Sequence, residues 1–429
     1  MASFNLSNFD AAMKHMYPIK KVENLVYKNN PLLSMMPKVT SFTGRNVTYA
    51  VEYGQTPGRS ANFLTAQTNR GGTKLEDFVV TRVKDYAVVS LDNETLLAAD
   101  GSEGSLLDVA KAKTDSALHA LARSMGQAVY RDGTGHIGAT NVNGSTTTIA
   151  LVNAADIRNF EIGMRVVRSS STAGSALLDS GAAAEITAVD RTAGSFTIHA
   201  NSVAVWPNGT TSADLLYVEG DATDNAAPTT TNFKRLAGIE AWCPTSAPGA
   251  TSFFGVDRSQ DTTRLGGQRI TGSGSINESL LNAMVTIYRE GGLPSHVFLP
   301  PDLWLNLAND MVGVPLSAGT VTAGTSRRRY GPDDVSGVVG FSAIELAGPS
   351  GVIPVYADHN CQPGVAWILQ MDTWEFRTLG SAPRILDFDG LSGLREQNAD
   401  GVEYRWGWYG NILCKAPGYN AGVTGLAAL

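Results

Sequence analysis

The longest regular pattern in this sequence is a helical one, between residues 105 and 131. The stretch SLLDVAKAKTDSALHALARSMGQAVYR carries apolar or small side chains at steps of three and four residues, which places them on one face of an α-helix. These positions are Leu107, Ala110, Thr114, Leu118, Leu121, Met125 and Ala128. Ser105 stands at the expected N-cap, and Asp108 falls in the first turn, where the helix dipole favours a carboxylate. The pattern predicts one long helix that any fold of the chain must accommodate.

Three glycines follow this helix in YRDGTGHIG. Gly133, Gly135 and Gly138 match the G-x-G-x-x-G spacing of a dinucleotide-binding loop. Such a loop follows a strand and opens a helix, because the pyrophosphate sits on the helix N-terminus. Here the order is reversed, since the glycines follow a helix and precede the strand-like run NVNGSTTTIALV. They are therefore predicted to be a helix C-terminal stop and turn.

Two extended stretches ahead of the helix predict a long hairpin. The first is NVTYAVEYG, and the second is EDFVVTRVKDYAVVSL. Alternation in the second predicts one face formed by Phe78, Val80, Arg82, Lys84 and Tyr86. Both faces of the hairpin are mixed, and an isolated hairpin is marginally stable at best. We expect it to lie on a neighbouring surface, such as another subunit.

Residues 1–40 are interpreted as an arm. Leu32, Leu33, Met35 and Met36 are too apolar for a free tail, yet the segment is too short to make a core of its own. An arm that lies on another surface is the interpretation that fits both facts.

Residues 140–231 differ in character from the rest of the chain. They are rich in Thr, Ser, Ala and Gly and contain the strand-like runs TTTIALV, MRVVRS, AEITAV, SFTIHA and DLLYVEG. Several short strands without a helical pattern are typical of a small barrel or sandwich. We interpret this segment as an inserted β-domain.

Helical and strand-like patterns alternate after the inserted segment. NESLLNAMVTIYREGG predicts an amphipathic helix with Leu280, Met284, Ile287 and Tyr288 on one side, and DLWLNLAND predicts a shorter helix capped by Asp302. Strands are predicted at SHVFLPP, VIPVYAD, VAWILQM, WEFRTL and VEYRWGWYGNILC. The fold class predicted for the whole chain is α+β.

Composition excludes several classes of protein. The net charge of -7 excludes a chain that is basic throughout and binds nucleic acid over its whole surface. Charged residues make up 17%, which suggests a surface covered in part by partners. No apolar run approaches the ~18 residues of a membrane span, and MASFNLSNFD lacks signal-peptide features, so a cytoplasmic product is expected. Cys243, Cys361 and Cys414 are predicted to be buried free thiols.

Four stretches together resemble the major capsid proteins of tailed bacteriophages, whose shell fold is shared with encapsulins. They are the glycine-tipped hairpin, the long helix running into YRDGTG, REGGLPSHVFLPPDLWLNL, and GVIPVYADHNCQPGVAWIL. Their order and spacing match the family over most of residues 20–415. Residues 140–231 are a departure, since the family's glycine turn usually passes almost directly into a strand, for which RLAGIEAW from Arg235 is the candidate.

The resemblance implies a domain organisation. It assigns residues 1–40 to an N-terminal arm, 41–95 to an extended loop, 96–132 and 366–429 to a peripheral domain, and 133–365 to an axial domain that carries the 140–231 insertion. The arm and loop would reach neighbouring subunits, and the axial domains would meet at the centres of hexamers and pentamers.

The resemblance also implies partners and a location. The chain would assemble with itself, with a portal and with packaged double-stranded DNA, which it would contact non-specifically through a local basic surface. No long charged scaffolding segment precedes the arm, so either scaffolding is a separate protein or the sequence is already mature, and the starting Met1 favours the first. A decoration protein is a further candidate. The expected location is the virion capsid, after assembly in the host cytoplasm, with no membrane partner.

Candidate chemical residues are few. Asp358, His359 and Cys361 could form a catalytic cluster, but neighbours on a strand point to opposite faces, so a polar strand end is favoured. Asp387 and Asp389 in LDFDGLSG could bind a cation, although a turn is favoured.

The basic run at Arg327, Arg328 and Arg329 could contact packaged DNA or an acidic neighbour, although a solvated or inter-subunit loop is the default interpretation. The sequence contains no H-E-x-x-H, P-loop or G-x-S-x-G motif. We therefore predict no catalytic, cofactor-binding or metal-binding residues, no cofactor and no enzymatic activity.

Two alternatives remain open at this point. An encapsulin-type compartment would have the same fold and enclose protein, although the insertion argues mildly against it. A β-rich adhesin or sugar-binding protein would use the Thr/Ser-rich insertion, but the long helix and the lack of a signal peptide speak against it.

Overall fold

The computed structural model describes residues 30–42, 44–94, 109–142, 144, 146–170, 177–207, 210, 213–222, 233–312, 344–387, 393–396 and 400–426. Several sequence predictions lie outside these ranges. They concern residues 1–29 of the arm, the helix start at Ser105, the run Arg327–Arg329 and Asp389.

Helices occur along the whole described chain. They are α1 (Pro31–Met35), α2 (Phe63–Thr68), α3 (Val109–Tyr130), α4 (Ser202–Val205), α5 (Ile239–Trp242), α6 (Ile276–Arg289) and α7 (Pro301–Val312). The predicted long helix is therefore present as α3. Gly133 and Gly135 behind it have φ of +84° and +94°, a left-handed conformation that glycine adopts without strain, so the predicted stop and turn are confirmed.

Strands form sheets of different size. They are β1 (Lys38–Val39), β2 (Asn46–Gly54), β3 (Lys74–Thr81), β4 (Val83–Asp92), β5 (His136–Ala139), β6 (Thr148–Ala150), β7 (Arg165–Ser169), β8 (Ala184–Asp190), β9 (Ser195–Ile198) and β10 (Leu215–Val218). The later ones are β11 (Gln268–Thr271), β12 (His296–Leu299), β13 (Ile344–Gly348), β14 (Gly351–Ala357), β15 (Ala366–Leu369), β16 (Trp374–Thr378), β17 (Arg384–Ile385), β18 (Leu394–Arg395), β19 (Gly401–Cys414) and β20 (Ala421–Thr424).

Strand β19 organises the first sheet. Its first part pairs with β4 along Gly401–Gly410, and its last part pairs with β16. Strands β17 and β18 also pair with β19, and β1 joins β16 in parallel. Helix α3 packs on this sheet, and Leu121 and Met125 share the largest buried cluster with Trp408 and Ile412.

The hairpin forms from β2 and β3 as a two-stranded sheet of its own. Its inner face is buried at Phe78 and Val80, and the Phe78 ring meets Trp242 edge-on at 5.2 Å between centroids. The chain breaks its alternation at Arg82, because β3 pairs with β2 whereas β4 pairs with β19. The prediction of one continuous face through Lys84 and Tyr86 is therefore wrong, since these two are exposed while Phe78 and Val80 are buried.

All five predicted strands of the inserted segment form, and β5 joins them. The antiparallel order is β5-β10-β7-β8-β9-β6, and the bridge between Thr140 and Leu151 brings the two ends of the sheet together. We call this closed arrangement the barrel, which is one of the two architectures predicted. Its interior is a separate cluster that includes Phe160, Phe196 and Trp206.

The remaining sheet has the order β11-β20-β15-β12-β14-β13, and α6 and α7 pack on it. Strands β15 and β20 belong to this sheet, although both lie beyond residue 365. The predicted boundary between residues 365 and 366 therefore falls inside a hydrogen-bonded sheet.

Three local predictions differ from the structure. RLAGIEAW is not a strand, since its second half is helix α5. Tyr288 is half-exposed on α6, while Leu280, Met284 and Ile287 are buried as predicted. Asp302 lies inside the first turn of α7 rather than ahead of it.

Replacing Phe78 tests the packing of the hairpin stem. Phe78→Ala should lower the free energy of unfolding of the dissociated subunit by about 3–5 kcal/mol, because it removes a fully buried ring and leaves a cavity. Phe63→Ala, at a side chain that is 78% exposed, should change it by less than ~0.5 kcal/mol. Urea unfolding followed by tryptophan fluorescence measures both, and equal effects would contradict the packing described.

Candidate assembly surfaces

The tip of the hairpin presents apolar side chains to solvent. Residues 55–73 connect β2 to β3 and contain α2, whose N-cap Asn62 accepts a hydrogen bond from the backbone N–H of Leu64 at 2.9 Å. Phe63 and Leu64 are 78% and 70% exposed, and Leu75 at the start of β3 is also exposed. Because the cap holds this short helix with its apolar side chains facing outward, the tip is suited to contact with another surface.

The tip is also basic. Arg59, Arg70 and Lys74 are exposed, and residues 55–75 contain no Asp or Glu. The rest of the chain carries an excess of negative charge, since the whole has a net charge of -7. The tip can therefore bind an apolar surface that has acidic residues at its edge.

The described end of the predicted arm lies on its own chain. Leu32, Met36 and Phe42 are buried, and β1 pairs with β16. The Asn30 side chain donates a hydrogen bond to the carbonyl oxygen of Ala122 in α3 at 2.9 Å. Residues 30–40 are therefore part of the subunit's own core, which corrects the assignment of all of residues 1–40 to an arm on other surfaces.

One face of the β4–β19 pair is a second exposed surface. Lys84, Tyr86 and Val88 are exposed along β4, and Tyr409 and Arg405 stand opposite Lys84 and Val88. The Lys84 ammonium lies 5.8 Å from the centre of the Tyr86 ring, and the hydroxyls of Tyr86 and Tyr409 are 3.4 Å apart. This face carries both aromatic and basic groups. Asp85 lies on the opposite face of the pair, where its carboxylate accepts a hydrogen bond from the Ser124 hydroxyl of α3.

The residues Asp358, His359 and Cys361 form a turn after β14. Buried Asp358 accepts hydrogen bonds from the Tyr130 hydroxyl at 2.8 Å and from the Asn360 backbone N–H at 2.9 Å. Burial, followed by the Asp358 charge, raises the pKa of both Tyr130 and the Cys361 thiol, so neither is a nucleophile near neutral pH. The favoured interpretation, a polar strand end, agrees with this geometry, and its role is to hold the end of α3.

The other candidate residues do not come together. Asp387 is exposed, while Asp389 and Arg327–Arg329 lie outside the described residues. Within the described residues, no group of three or more His, Cys, Asp or Glu side chains is arranged to hold a metal ion. No helix in the described part of the chain has the length and apolar character needed to cross a membrane.

The cysteines are free and buried, as predicted. Burial raises the pKa of the Cys243 thiol to about 12, so it remains protonated at neutral pH. Cys414 lies in the same buried cluster, and burial likewise raises its pKa.

Sequence reasoning missed the ion pairs that join the barrel to α3. Arg123 pairs with Glu161 at 2.6 Å, and Arg131 pairs with Asp156 at 3.0 Å. The only local signal is that Arg123, in the last third of α3, and Arg131, directly after its last residue, are eight residues apart. Their partners are more than twenty residues away in sequence, so no local spacing predicts them.

Glu240 of α5 is a half-buried carboxyl near the end of α3. Its Oε2 accepts a hydrogen bond from the Gln362 side chain, and burial, with the Asp132 charge, raises its pKa from 4.5 to about 7. The folded state therefore holds this proton more tightly than the unfolded state. Its contribution to stability is fully present below pH ~4.5 and is lost as the pH rises through about 7.

Glu240→Gln should flatten the pH dependence of stability. Between pH 5 and pH 8 the urea midpoint of the dissociated subunit should fall further for the native protein than for the variant, which cannot lose the proton. Glu52→Gln on the exposed hairpin is the control, and its profile should follow that of the native protein. Identical pH profiles for Glu240→Gln and the native protein would contradict the assignment.

The whole fold resembles those of solved capsid structures. A chain of the cyanophage A-1(L) capsid asymmetric unit matches with a TM-score of 0.54 and 10% identity, covering 98% of this chain and 99% of that one. A chain of the capsid of a native GTA particle matches with a TM-score of 0.48 and 9% identity, covering 99% and 100%. An encapsulin from Synechococcus elongatus matches with a TM-score of 0.41 and 7% identity, covering 99% and 96%.

No protein-family model matches the sequence, and no curated protein matches it. The fold comparison therefore rests on the cyanophage structure, which aligns over nearly the whole length of both chains at a TM-score above 0.5. On that basis the chain has the fold of the cyanophage A-1(L) capsid chain.

Proposed function

We propose that this chain is the structural subunit of a closed protein shell, as its fold and its sequence resemblance to phage coat proteins suggest. The observation that carries the proposal is the hairpin tip. Phe63 and Leu64 are held outward by a capped helix, where a lone subunit leaves them in water. The exposure of these apolar side chains is explained if a second copy of the chain covers them, because burying apolar surface is the main source of association energy.

Closed symmetry supplies that second copy. In a ring of identical subunits each exposed patch meets a complementary patch on its neighbour, so one tip and one receiving surface repeat around the ring. The acceptor should be apolar with acidic residues at its edge, matching the three basic residues of the tip, Arg59, Arg70 and Lys74. A shell of this kind needs no catalytic chemistry from its subunit.

The domain organisation proposed for this role follows the sheets. Residues 41–95 contain the extended loop, α3 and the β19 sheet form the peripheral domain, and the β11–β15 sheet with β20 forms the axial domain. The barrel is the insertion. The axial domain therefore extends beyond residue 365, so that β15 and β20 stay with the strands with which they pair.

The enclosed content proposed is double-stranded phage DNA, with the virion capsid as the location. The insertion at residues 140–231 argues mildly for this content over a protein cargo. Particles isolated from producing cells should contain DNA that nuclease digests only after the shell is opened. Particles filled with protein and free of DNA would favour the encapsulin-type compartment.

Changing the tip tests the shell proposal. The double variant Phe63→Asp/Leu64→Asp should keep the folded subunit and lose the large particles, because it places two charges in the proposed contact. The matched control Phe63→Leu/Leu64→Met keeps both side chains apolar and should assemble. Sedimentation velocity separates subunits from particles, and circular dichroism checks folding. Full assembly of the aspartate variant would refute this role of the tip.

A further inference from the structure

The barrel has a hydrophobic core of its own. Ile149, Phe160, Ile186, Phe196 and Trp206 are buried inside it, and none of them belongs to the cluster that holds α3 and β19. The Phe160 and Phe196 rings stack at 4.9 Å between centroids. The barrel can therefore keep its fold when its contacts with the rest of the chain change, because its apolar burial lies within itself.

The two described ends of the barrel segment lie side by side where they meet the body. The chain enters the barrel through Gly133–Gly135, both glycines being in the left-handed region. The last described residues of the barrel segment are Asp221 and Ala222, and the Asp221 carboxylate lies 3.5 Å from Arg235 of the body. A Cβ on Gly135 would lie 2.7 Å from the Asp221 carbonyl oxygen, and one on Gly133 would lie 3.2 Å from the Leu236 carbonyl oxygen. We call Gly133–Gly135 with Asp221 and Arg235–Ala237 the neck.

Beyond the neck, polar contacts hold the barrel against the body. Arg123 of α3 pairs with Glu161 at 2.6 Å and donates to the Arg158 carbonyl oxygen, while Arg131 pairs with Asp156 at 3.0 Å. The Arg158 guanidinium donates to the Cys361 carbonyl oxygen at 2.8 Å. We call the pairs Arg123–Glu161 and Arg131–Asp156 the latch.

A cavity separates the barrel from α3 beside the latch. Its volume is about 380 Å³, and Ala120 and Gln127 of α3 line it opposite Ile137 and Met164 of the barrel. Protein interiors are normally packed to the density of organic crystals. This junction therefore depends on directional ionic contacts around a hollow rather than on continuous apolar packing.

From the separate core, the glycine neck, the latch and the cavity, we infer that the barrel is a hinged module that swings about the neck when the latch opens. Each feature removes one obstacle to the motion. Swinging costs little apolar burial, because the barrel has its own core. The two described ends of the barrel segment meet at the neck. Glu161 keeps 40% of its side chain in solvent, where water competes for its ion pair. The inference concerns the isolated subunit and does not depend on shell formation.

The latch acts on α3, the helix that packs on β4 and β19. Arg123 lies in the last third of that helix and Arg131 directly follows its last residue, Tyr130, so the latch couples barrel orientation to the helix. A subunit that must occupy more than one position in a shell could then keep its body fixed while the barrel reorients. Hinge motions of this type use a few residues at element ends.

Distance measurements on the dissociated subunit test the hinge. Spin labels at Asp115→Cys on α3 and Thr187→Cys on the barrel, both exposed positions, report the distance between the two parts. The native latch should give one narrow distribution. Arg123→Glu, which places a carboxylate against Glu161, should broaden it or add a second distance. Arg123→Lys, which keeps a cation against Glu161, should retain the narrow distribution.

Hydrogen exchange on the same proteins separates swinging from unfolding. In Arg123→Glu, peptides covering residues 154–164 should exchange about tenfold faster, while peptides from β8 and β9 stay protected. Arg165→Glu, which breaks the Arg165–Glu219 pair within the barrel, is the control and should leave the distance unchanged. An unchanged distance distribution in Arg123→Glu would overturn the hinge, and so would loss of protection in β8 and β9, because the barrel would then be unfolding.

Discussion

The packing of helix α3 against the β4–β19 pair is the contact on which the other parts of this subunit depend. Leu121 and Met125 of the helix meet Trp408 and Ile412 of β19 in one buried cluster. The N-terminal segment adds β1 at one edge, and the hairpin stem inserts Phe78 against Trp242. Asp358, in the turn after β14, accepts a hydrogen bond from the Tyr130 hydroxyl and so connects the sheet that contains β14 to the end of the helix. Loss of this contact would leave each of these attachments without its common support.

The same arrangement explains which parts of the chain lie outside the main buried cluster. The stem of the hairpin is buried on its inner face, while α2 at the tip reaches beyond the core and keeps Phe63 and Leu64 in solvent. The barrel, with its own core, meets α3 through ion pairs. One rigid body therefore carries two projecting parts, an apolar and basic tip suited to a neighbour and a barrel suited to reorientation.

Local patterns in the sequence predicted the elements more reliably than their partners. The 3.6-residue repeat predicted α3, and alternation predicted the strands of the barrel and β19, because these signals depend only on which side chains face a core. The break at Arg82 was missed, since its cause is that β3 and β4 pair with strands far apart in the chain. Docking of Leu32 and Met36 on their own subunit, and the partners of Arg123 and Arg131, depend on contacts across long sequence separations in the same way. The sequence analysis predicts no helix at the glycine-containing tip, and its exposed Phe63 and Leu64 emerge only when Asn62 is seen to cap a helix there.

Electron microscopy of the purified chain, expressed alone, tests the central claim most directly. A shell subunit should give closed particles or rings of five and six, and a reconstruction should place the hairpin tip of each subunit on an apolar surface of its neighbour. A compact monomer that persists across protein concentration and salt would contradict the claim. Particles in which Phe63 and Leu64 face only solvent would contradict the role given to the tip.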